Sequence, residues 1–330
     1  MDQGKRLIGK RVLLIMPNFF GYQNEIRREL ERQGAIVDWL PDRPFESPVL
    51  MALTKIGPKI ILPFTDFYYK SRLKNLSGSS YDKIFVINGQ TVSYKILNHL
   101  RIENPNAEFV LYMWDSIKNR PNVLKNVSCF DKIFSFDTQS AKKYGFKHRP
   151  LFFLSGFRPS LSSDFSYHLS FIGTIHSDRY EIINRVKKSL PPQLTSYWYL
   201  YLQAPWVYHA YRLYKADYKN SKIGEFNFKP LDKTLVQLKF AQSLSVLDIE
   251  HPNQNGLTMR SLEAFGAHKK LITTNQSIRD YDFYSPNNIC IIDRKNPQIP
   301  NSFFKEAFTP PELNLYQRYS LEGWVNEILT

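Results

Sequence analysis

The chain has 330 residues, 43% hydrophobic and 15% aromatic, which suffices for packed cores and argues against a disordered chain. Lys and Arg number 44 against 30 Asp and Glu, and this formal excess of +14 points to an anionic partner: nucleic acid, an acidic membrane surface or a phosphorylated substrate. Two distant cysteines, Cys129 and Cys290, sit in segments that read as buried; with no CxxC or Cys/His cluster they exclude a disulfide framework and a structural zinc site and fit a reducing cytoplasm.

At the basic N-terminus, MDQGKRLIGKRVLLIMPNFFG, the apolar run is broken by Pro17 and Asn18 and no small-residue cleavage site follows. It reads as a first strand and not as a signal peptide. No apolar span reaches 18 residues, so none is expected to cross a bilayer. RVLLIMP, 11–17, is a continuous apolar run suited to a buried parallel strand. NEIRRELERQG follows as an amphipathic helix closed by Gly34, then AIVDWLP as a second strand. The basic and aromatic stretch 51–76 reads as helical, kinked or interrupted at Pro58 and Pro63. Next come YDKIFVING, a helix through 96–100, EFVLYMWD, a short helix near Val123, DKIFSFD, a helix over 138–144, and RPLFFL. Strands spaced by helices over about 150 residues predict an open, doubly wound parallel sheet.

SGFRPSLSSDFS, 155–166, is rich in Ser, Pro and Gly and lacks periodicity, which makes it the linker candidate. Beyond it the alternation restarts: YHLSFIGT, a helix over 179–190, a strand over 197–201, a helix over 231–241, SLSVLDIE, a helix within NGLTMRSLEAFG, KKLITTN and NNICIID. Two consecutive α/β domains follow, 1–160 and 161–310, and 311–330 carries a last helix, LEGWVNEIL, able to cross back to the first. Residues 189–211 contain no Lys, Arg, Asp or Glu, are crowded with Tyr and Trp, and are followed by Lys215, Lys219 and Lys222. That pattern suits a membrane interface, a sugar-binding rim, or a strand plus a packed insertion.

Parallel sheets bind ligands at the carboxyl ends of their strands. In the second half, Gly173-Thr174-Ile175-His176-Ser177-Asp178-Arg179 leads from a strand into a helix. Gly173 lets a backbone approach closely, Ser177 or Asp178 is placed to cap the helix, and its N-terminus with Arg179 suits a phosphate; a plain capped turn has the same residues. In NGLTMRSLEAFGAHKKLITTN, 255–275, Met259, Leu262 and Phe265 form a core stripe, and Arg260 and Glu263 lie off it, on the exposed side, as i, i+3 neighbours. They make either a surface ion pair or a ligand site. For a ligand, Asn255 or Thr258 caps the helix, Gly256 opens the backbone, Arg260 offers a fork to diphosphate oxygens, and Glu263 accepts from vicinal ribose hydroxyls. Asp248, Glu250 and His251 end the preceding strand near the same spot.

SFIGT…R followed by NGLTMRSLEAFGAHKKLITTN resembles the donor-binding half of GT-B glycosyltransferases, and more narrowly the group related to the spore protein CgeB and to bacterial lipopolysaccharide and capsule transferases. EFVLYMWDSIKN followed by FDKIFSFD resembles that group's first domain. The similarity runs in order and spacing over about residues 10–295, with MWDSIKN and the Glu263 helix its most specific parts. It implies two Rossmann-like domains facing each other across a cleft, and a nucleotide-sugar co-substrate held mainly by the second. By this resemblance Glu263 meets the ribose, Gly256, Leu257, Thr258 and Arg260 flank the diphosphate, and Gly173, Thr174 and Arg179 line the other side. Many retaining members carry a second glutamate eight residues before the first; that position is Asn255 here, which leaves the stereochemical course open.

An inverting member takes its base from the first domain. Asp115, at the end of MWD, is the first choice and Asp137, after the next strand, the second; each is equally placed to cap a following helix. Asn18, Phe20, Gly21 and Tyr22 after the first strand, and Asn88, Gly89 and Gln90 after the third, are placed to shape an acceptor pocket. No Asp-x-Asp stands where a metal-dependent GT-A enzyme needs one, so neither a metal nor a further cofactor is implied, and Lys and Arg would meet the departing diphosphate. The implied activity is transfer of a hexosyl or related sugar to a bacterial surface glycan: lipopolysaccharide core, O-antigen or capsule. Such acceptors are anionic and lipid-linked, so a basic first domain is expected to dock on the inner leaflet at about 1 kcal/mol per basic side chain, giving a cytoplasmic protein peripheral on the inner membrane. The rival readings are a nucleotide-sugar epimerase of the same architecture and a basic nucleic-acid-binding protein. The second lacks an RNP-like motif, a helix-turn-helix pattern or a lysine tail.

Overall fold

The structure is a computed structural model that describes residues 6–42, 58–76, 80–159, 165–252 and 256–330. It divides into two compact units, one of Met1–Pro150 with Leu321–Thr330 and one of Leu151–Ser320.

Unit 1 is built on six strands: β1 (Arg11–Ile15), β2 (Ile36–Leu40), β3 (Lys83–Ile87), β4 (Glu108–Met113), β5 (Lys132–Ser135) and β6 (Lys147–His148). They lie in the order β2-β1-β3-β4-β5-β6, every pair parallel. Val12, Leu13, Leu14 and Ile15 of β1, Ile84 to Ile87 of β3 and Phe109 to Met113 of β4 are all buried, as expected of parallel strands covered on both faces. The helices are α1 (Tyr22–Arg32), α2 (Pro58–Asn75), α3 (Tyr94–Glu103) and α4 (Thr138–Tyr144). Gly34, at φ 94°, turns the chain from α1 into β2 where a Cβ would come within 3.0 Å of the Ile8 Cα.

Several expectations change in unit 1. Residues 51–57 lie outside the described residues, and α2 starts at Pro58 and runs through Pro63 without a break. The segment near Val123 is a 3₁₀ helix, Pro121–Cys129. RPLFFL is not a sheet strand: the last ladder pairs are Phe134–Lys147 and Ser135–His148, and Pro150 lacks the N–H a further ladder bond needs. Leu151 to Leu154 are instead buried in unit 2, where Phe153 bridges to Ser320.

The closing helix of the chain, Leu321–Leu329, belongs to unit 1. Leu321, Trp324, Val325, Ile328 and Leu329 form one buried stripe at helical spacing, and Trp324 packs against Phe85, Tyr112 and Trp114, with a ring separation of 4.7 Å to Tyr112. Arg32–Glu322 at 3.0 Å and the buried Arg149 with Glu327 at 2.9 Å tie its polar edges.

Unit 2 carries β7 (Tyr167–Thr174), β8 (Ser196–Tyr201), β9 (Phe226–Asn227), β10 (Ser243–Asp248), β11 (Lys270–Thr273) and β12 (Ile289–Ile291). The order is β12-β11-β10-β7-β8-β9, again all parallel. Counted from β7 this is the 3-2-1-4-5-6 order of a Rossmann sheet, whose direction reverses between β7 and β10. Its helices include α5 (Arg179–Ser189), α6 (Pro205–Tyr214), α7 (Lys233–Ala241) and α8 (Met259–Gly266). The charge-free stretch 189–211 forms β8 and α6. Tyr180, Tyr208, Tyr218 and Phe226 stack into one core beneath them.

Of the linker candidate 155–166, residues 160–164 lie outside the described residues, and Phe157 is buried against Phe240 in unit 2 with rings 5.2 Å apart. Both cysteines are free and half-buried, less enclosed than their segments suggested, because each sits at a sheet or turn margin. No helix among the described residues is long and apolar enough to cross a membrane.

Candidate active site

In a doubly wound sheet a ligand crevice opens outside the carboxyl ends of the strands where winding reverses. In unit 2 that point falls between β7, which ends at Thr174, and β10, which ends at Asp248. The loops that leave these strands carry His176 to Arg179 and Ile249 to His251, and His176 and His251 face each other with rings 5.6 Å apart. Ser177 is held at φ 53°, an uncommon value for a residue with a Cβ.

Arg179 opens α5 and is anchored there. Its Nε donates to the Ile249 carbonyl at 2.6 Å and its Nη1 to the Thr174 carbonyl at 2.9 Å. Burial lowers its pKa, Asp248 opposes that shift, and the positive charges of Arg260 and Arg294 reinforce it. A fixed guanidinium with two like charges nearby, at a helix N-terminus, is a site that gains from an anion. A Cβ at Gly173 would crowd the Phe171 ring at 3.1 Å, while the Arg179 Nη1, at 3.7 Å, would be in ordinary contact with it.

Neither Ser177 nor Asp178 caps α5 with its side chain. The Asp178 carboxylate instead accepts from Arg294 Nη1 at 2.7 and 2.9 Å, because Arg294 arrives from beyond β12 and offers a charged fork. Arg294 Nη2 donates to the Glu250 carbonyl at 2.7 Å and to its carboxylate at 2.5 Å.

At the second helix, Thr258 is the cap: its hydroxyl accepts from the Ser261 N–H at 3.2 Å and donates to Asp248 at 2.7 Å. Asn255, the alternative cap, lies outside the described residues. Ser261 adds a second hydroxyl on the same Asp248 oxygen at 2.5 Å, so the end of β10 and the start of α8 are laced together. Asn275, after β11, donates to the Gly256 carbonyl at 3.3 Å. Leu257 is buried and holds this turn down.

Glu263 does not lie on an exposed side. It is 4% exposed, and Arg260, half-buried, donates to it at 2.8 Å. Arg260 also lies over the Phe240 ring at 4.9 Å. The helix is short and enclosed on most sides, so a position off the apolar stripe still falls inside the unit. Removing one partner from a pair buried to this degree costs more than breaking a surface ion pair, because the other charge is left enclosed.

His176 is neutral near pH 7. Burial, helped by Arg179, pushes its pKa from 6.5 down to about 4. Between those values the unfolded chain binds a proton that the folded one does not, so folding stability rises with pH from 4 to 6.5 and is lost as pH falls. His176→Gln is expected to remove this term, lessening the loss between pH 6.5 and 4 by about 1–2 kcal/mol once partial exposure is allowed for. Urea unfolding of both proteins at pH 4.5 and pH 7 measures it; equal pH slopes would exclude His176 as its source.

In unit 1 the winding reverses between β1 and β3. The segment after β1 carries Asn18, whose side chain accepts from Gln23 at 2.7 Å, the exposed Phe20 at φ 46°, and Gly21 at φ 76°, which leads into α1. Tyr22 stacks 6.1 Å from Phe19 and lies 5.5 Å from Trp114. After β3, Asn88 at φ 67° accepts from the Trp114 N–H at 2.9 Å, and Gly89 follows at φ 61°. The Gln90 N–H donates to Asp42 at 3.0 Å and its side-chain oxygen accepts from Arg120.

Asp115 joins this set. Its Oδ1 accepts from the Ser116 N–H and from Asn119, each at 2.9 Å, and its Oδ2 from Arg120 Nε at 3.0 Å. The residues after Ser116 form a turn, not an α-helix. Asp137 is 2% exposed and caps α4, accepting from the N–H groups of Gln139 and Ser140 at 3.1 and 3.3 Å and from the Ser140 hydroxyl at 2.5 Å. Among the described residues no group of three or more His, Cys, Asp or Glu is placed to hold a metal ion.

The structure thus gathers Asn18, Tyr22, Asn88, Gln90 and Asp115 at one end of the first sheet, and Thr174, Arg179, Gly256, Thr258, Arg260 and Glu263 at the corresponding end of the second. Sequence reasoning missed Arg120, Trp114 and Arg294. Arg294 follows the last strand, so the search of strand ends, carried one strand further, would have reached it.

No protein-family profile matches the chain, and no curated protein matches it. Solved structures do. HepE from Anabaena in complex with UDP-glucose aligns with a TM-score of 0.61 at 11% identity, over 96% of this chain and 98% of that one. The lipopolysaccharide outer core galactosyltransferase WaaB in its apo form aligns at 0.55 and 11% identity, over 97% and 99%. A glycosyltransferase from Rickettsia africae aligns at 0.54 and 13% identity, over 97% and 99%. The fold is GT-B, two Rossmann-like units in one chain.

Proposed function

We propose that the protein is a glycosyltransferase that moves a sugar from a nucleotide-sugar donor to a bacterial cell-surface glycan, lipopolysaccharide core, O-antigen or capsule, and that it is related to the CgeB-like group its sequence resembles. The observation that carries this reading is the switch point of unit 2. Two helix N-termini converge there, Arg179 is fixed by main-chain carbonyls, and a buried carboxylate, Glu263, lies in α8 beyond its capped first turn. The GT-B fold supports it, since HepE carries UDP-glucose and WaaB is a lipopolysaccharide galactosyltransferase.

In this reading Gly173, Thr174, Arg179, Gly256, Leu257, Thr258 and Arg260 flank the diphosphate and Glu263 takes the ribose hydroxyls. Asp115 is the base that receives the proton of the acceptor hydroxyl, and Asn18, Phe20, Gly21, Tyr22, Asn88 and Gln90 shape the acceptor pocket. The acceptor oxygen bonds to the anomeric carbon as the bond to phosphate breaks, and arginine charge meets the leaving nucleoside diphosphate without recourse to a metal. The basic excess fits an anionic, lipid-linked acceptor on the cytoplasmic face of the inner membrane.

A thermal-shift panel of UDP, GDP, CMP, ADP and dTDP sugars tests it. One nucleotide series is expected to stabilise the protein, by about 2.7 kcal/mol at a hundredfold excess over Kd. Transfer to a lipid-linked acceptor should follow with the same donor. Interconversion of free donor would favour the epimerase, and a salt-steep gel shift with no nucleotide effect would favour nucleic acid.

A further inference from the structure

Surface helices of water-soluble domains turn polar residues outward. Helix α6 carries large apolar and aromatic side chains on its outer face as well as its inner one. Val207 and Tyr208 are buried, and Tyr208 packs on Phe226 of the aromatic core. The opposite ridge carries Trp206 at 71% exposure and Leu213 at 86%, two turns apart and so one above the other. Tyr214, at 68%, borders them on one side, and the exposed His209 and Arg212 on the other.

The chain that follows is basic. Residues 205–222 hold four basic side chains, Arg212, Lys215, Lys219 and Lys222, against one acid, Asp217. Lys215 is engaged: its Nζ donates to the Ser177 carbonyl at 2.6 Å and lies over the Tyr211 ring. Arg212, Lys219 and Lys222 are exposed, and no ion pair involves them among the described residues.

An aromatic and a leucine at the crest of a ten-residue helix, flanked by cations, match a lipid interface in three ways. Trp and Tyr favour headgroup depth, the cations complement anionic phosphates, and a helix about 15 Å long can lie flat but not span. A protein partner of ordinary affinity would need about 800 Å² on each side, more than such a ridge presents.

We propose that α6 docks flat on an anionic lipid bilayer, with Trp206 and Leu213 entering the headgroup–acyl boundary and Arg212, Lys219 and Lys222 meeting lipid phosphates. The inference rests on the membrane association proposed above, but assigns the contact to unit 2, choosing the membrane interface among the readings open for 189–211 and its lysines over a basic first domain, and it does not depend on the transfer reaction.

Co-sedimentation of the full chain with vesicles of phosphatidylcholine, alone or mixed with phosphatidylglycerol, tests it. The chain is expected to bind the mixed vesicles, less as salt rises. The double variant Trp206→Ser, Leu213→Ser should lose at least about tenfold in partitioning, and the triple variant Arg212→Gln, Lys219→Gln, Lys222→Gln should lose the preference for anionic lipid. Both should keep the unfolding temperature and any donor-induced thermal shift of the parent, so failure of docking is distinguishable from failure of the donor site. Equal binding by the double variant, no binding by the parent, or a parent dimer that the double variant dissolves would each overturn the proposal.

Discussion

Asp115→Asn is expected to lower kcat by about 10²–10⁴-fold while leaving the donor-induced thermal shift intact. The Asp115 carboxylate has about four lone-pair sites. Among the described residues Ser116 N–H, Asn119 and Arg120 occupy three, fixing the group at the carboxyl end of β4 with one position left for an acceptor hydroxyl. An amide keeps the shape and one accepting oxygen but does not take up the hydroxyl proton. Asp137→Ala supplies the contrast: both Asp137 oxygens are committed to the α4 cap, so that variant should lose about 0.5–2 kcal/mol of stability and little kcat. A steady-state assay beside urea unfolding separates the two, and a kcat for Asp115→Asn within tenfold of the parent would remove Asp115 from the chemistry.

Glu263→Gln should weaken donor binding by about 10–100-fold, because hydrogen bonds from ribose hydroxyls to a carboxylate are charge-assisted and contribute about 1.5–3 kcal/mol. The substitution retains an oxygen for Arg260, which donates at 2.8 Å, and so disturbs the fold less than Glu263→Ala, which leaves a guanidinium without its carboxylate. Calorimetric titration with the donor found in the thermal panel gives the number. If the variant is merely less stable and binds donor as tightly as the parent, Glu263 serves only to hold Arg260, and the ribose contact must be sought elsewhere.

Much of the fold could be read along the chain. Arg11–Ile15, Lys83–Ile87 and Glu108–Met113 are strands that stand out because a parallel strand buried on both faces is apolar throughout. The stripe Leu321, Trp324, Val325, Ile328 marked the last helix for the same reason at a different period. RPLFFL misled: it is as apolar as a strand, yet Pro150 stops the ladder and its side chains fill the second unit. Glu263 misled in the other direction, since a position off the apolar stripe of a short helix can still be enclosed by neighbouring elements.

Local periodicity by itself determined that this chain makes two successive sheets of alternating strands and helices, and which loops leave the carboxyl ends of their strands. Side-chain alternation depends only on near neighbours, so it is written in the sequence. Strand order, and with it the place where each sheet reverses, was decided by crossover connections that the linear pattern does not encode. So were the partners: Arg294 reaches Asp178 across 116 residues and Arg179 holds the Ile249 carbonyl across 70. Such contacts form only once distant strands lie side by side, which is why the loops and Arg179 could be named in advance and the groups these charges hold could not.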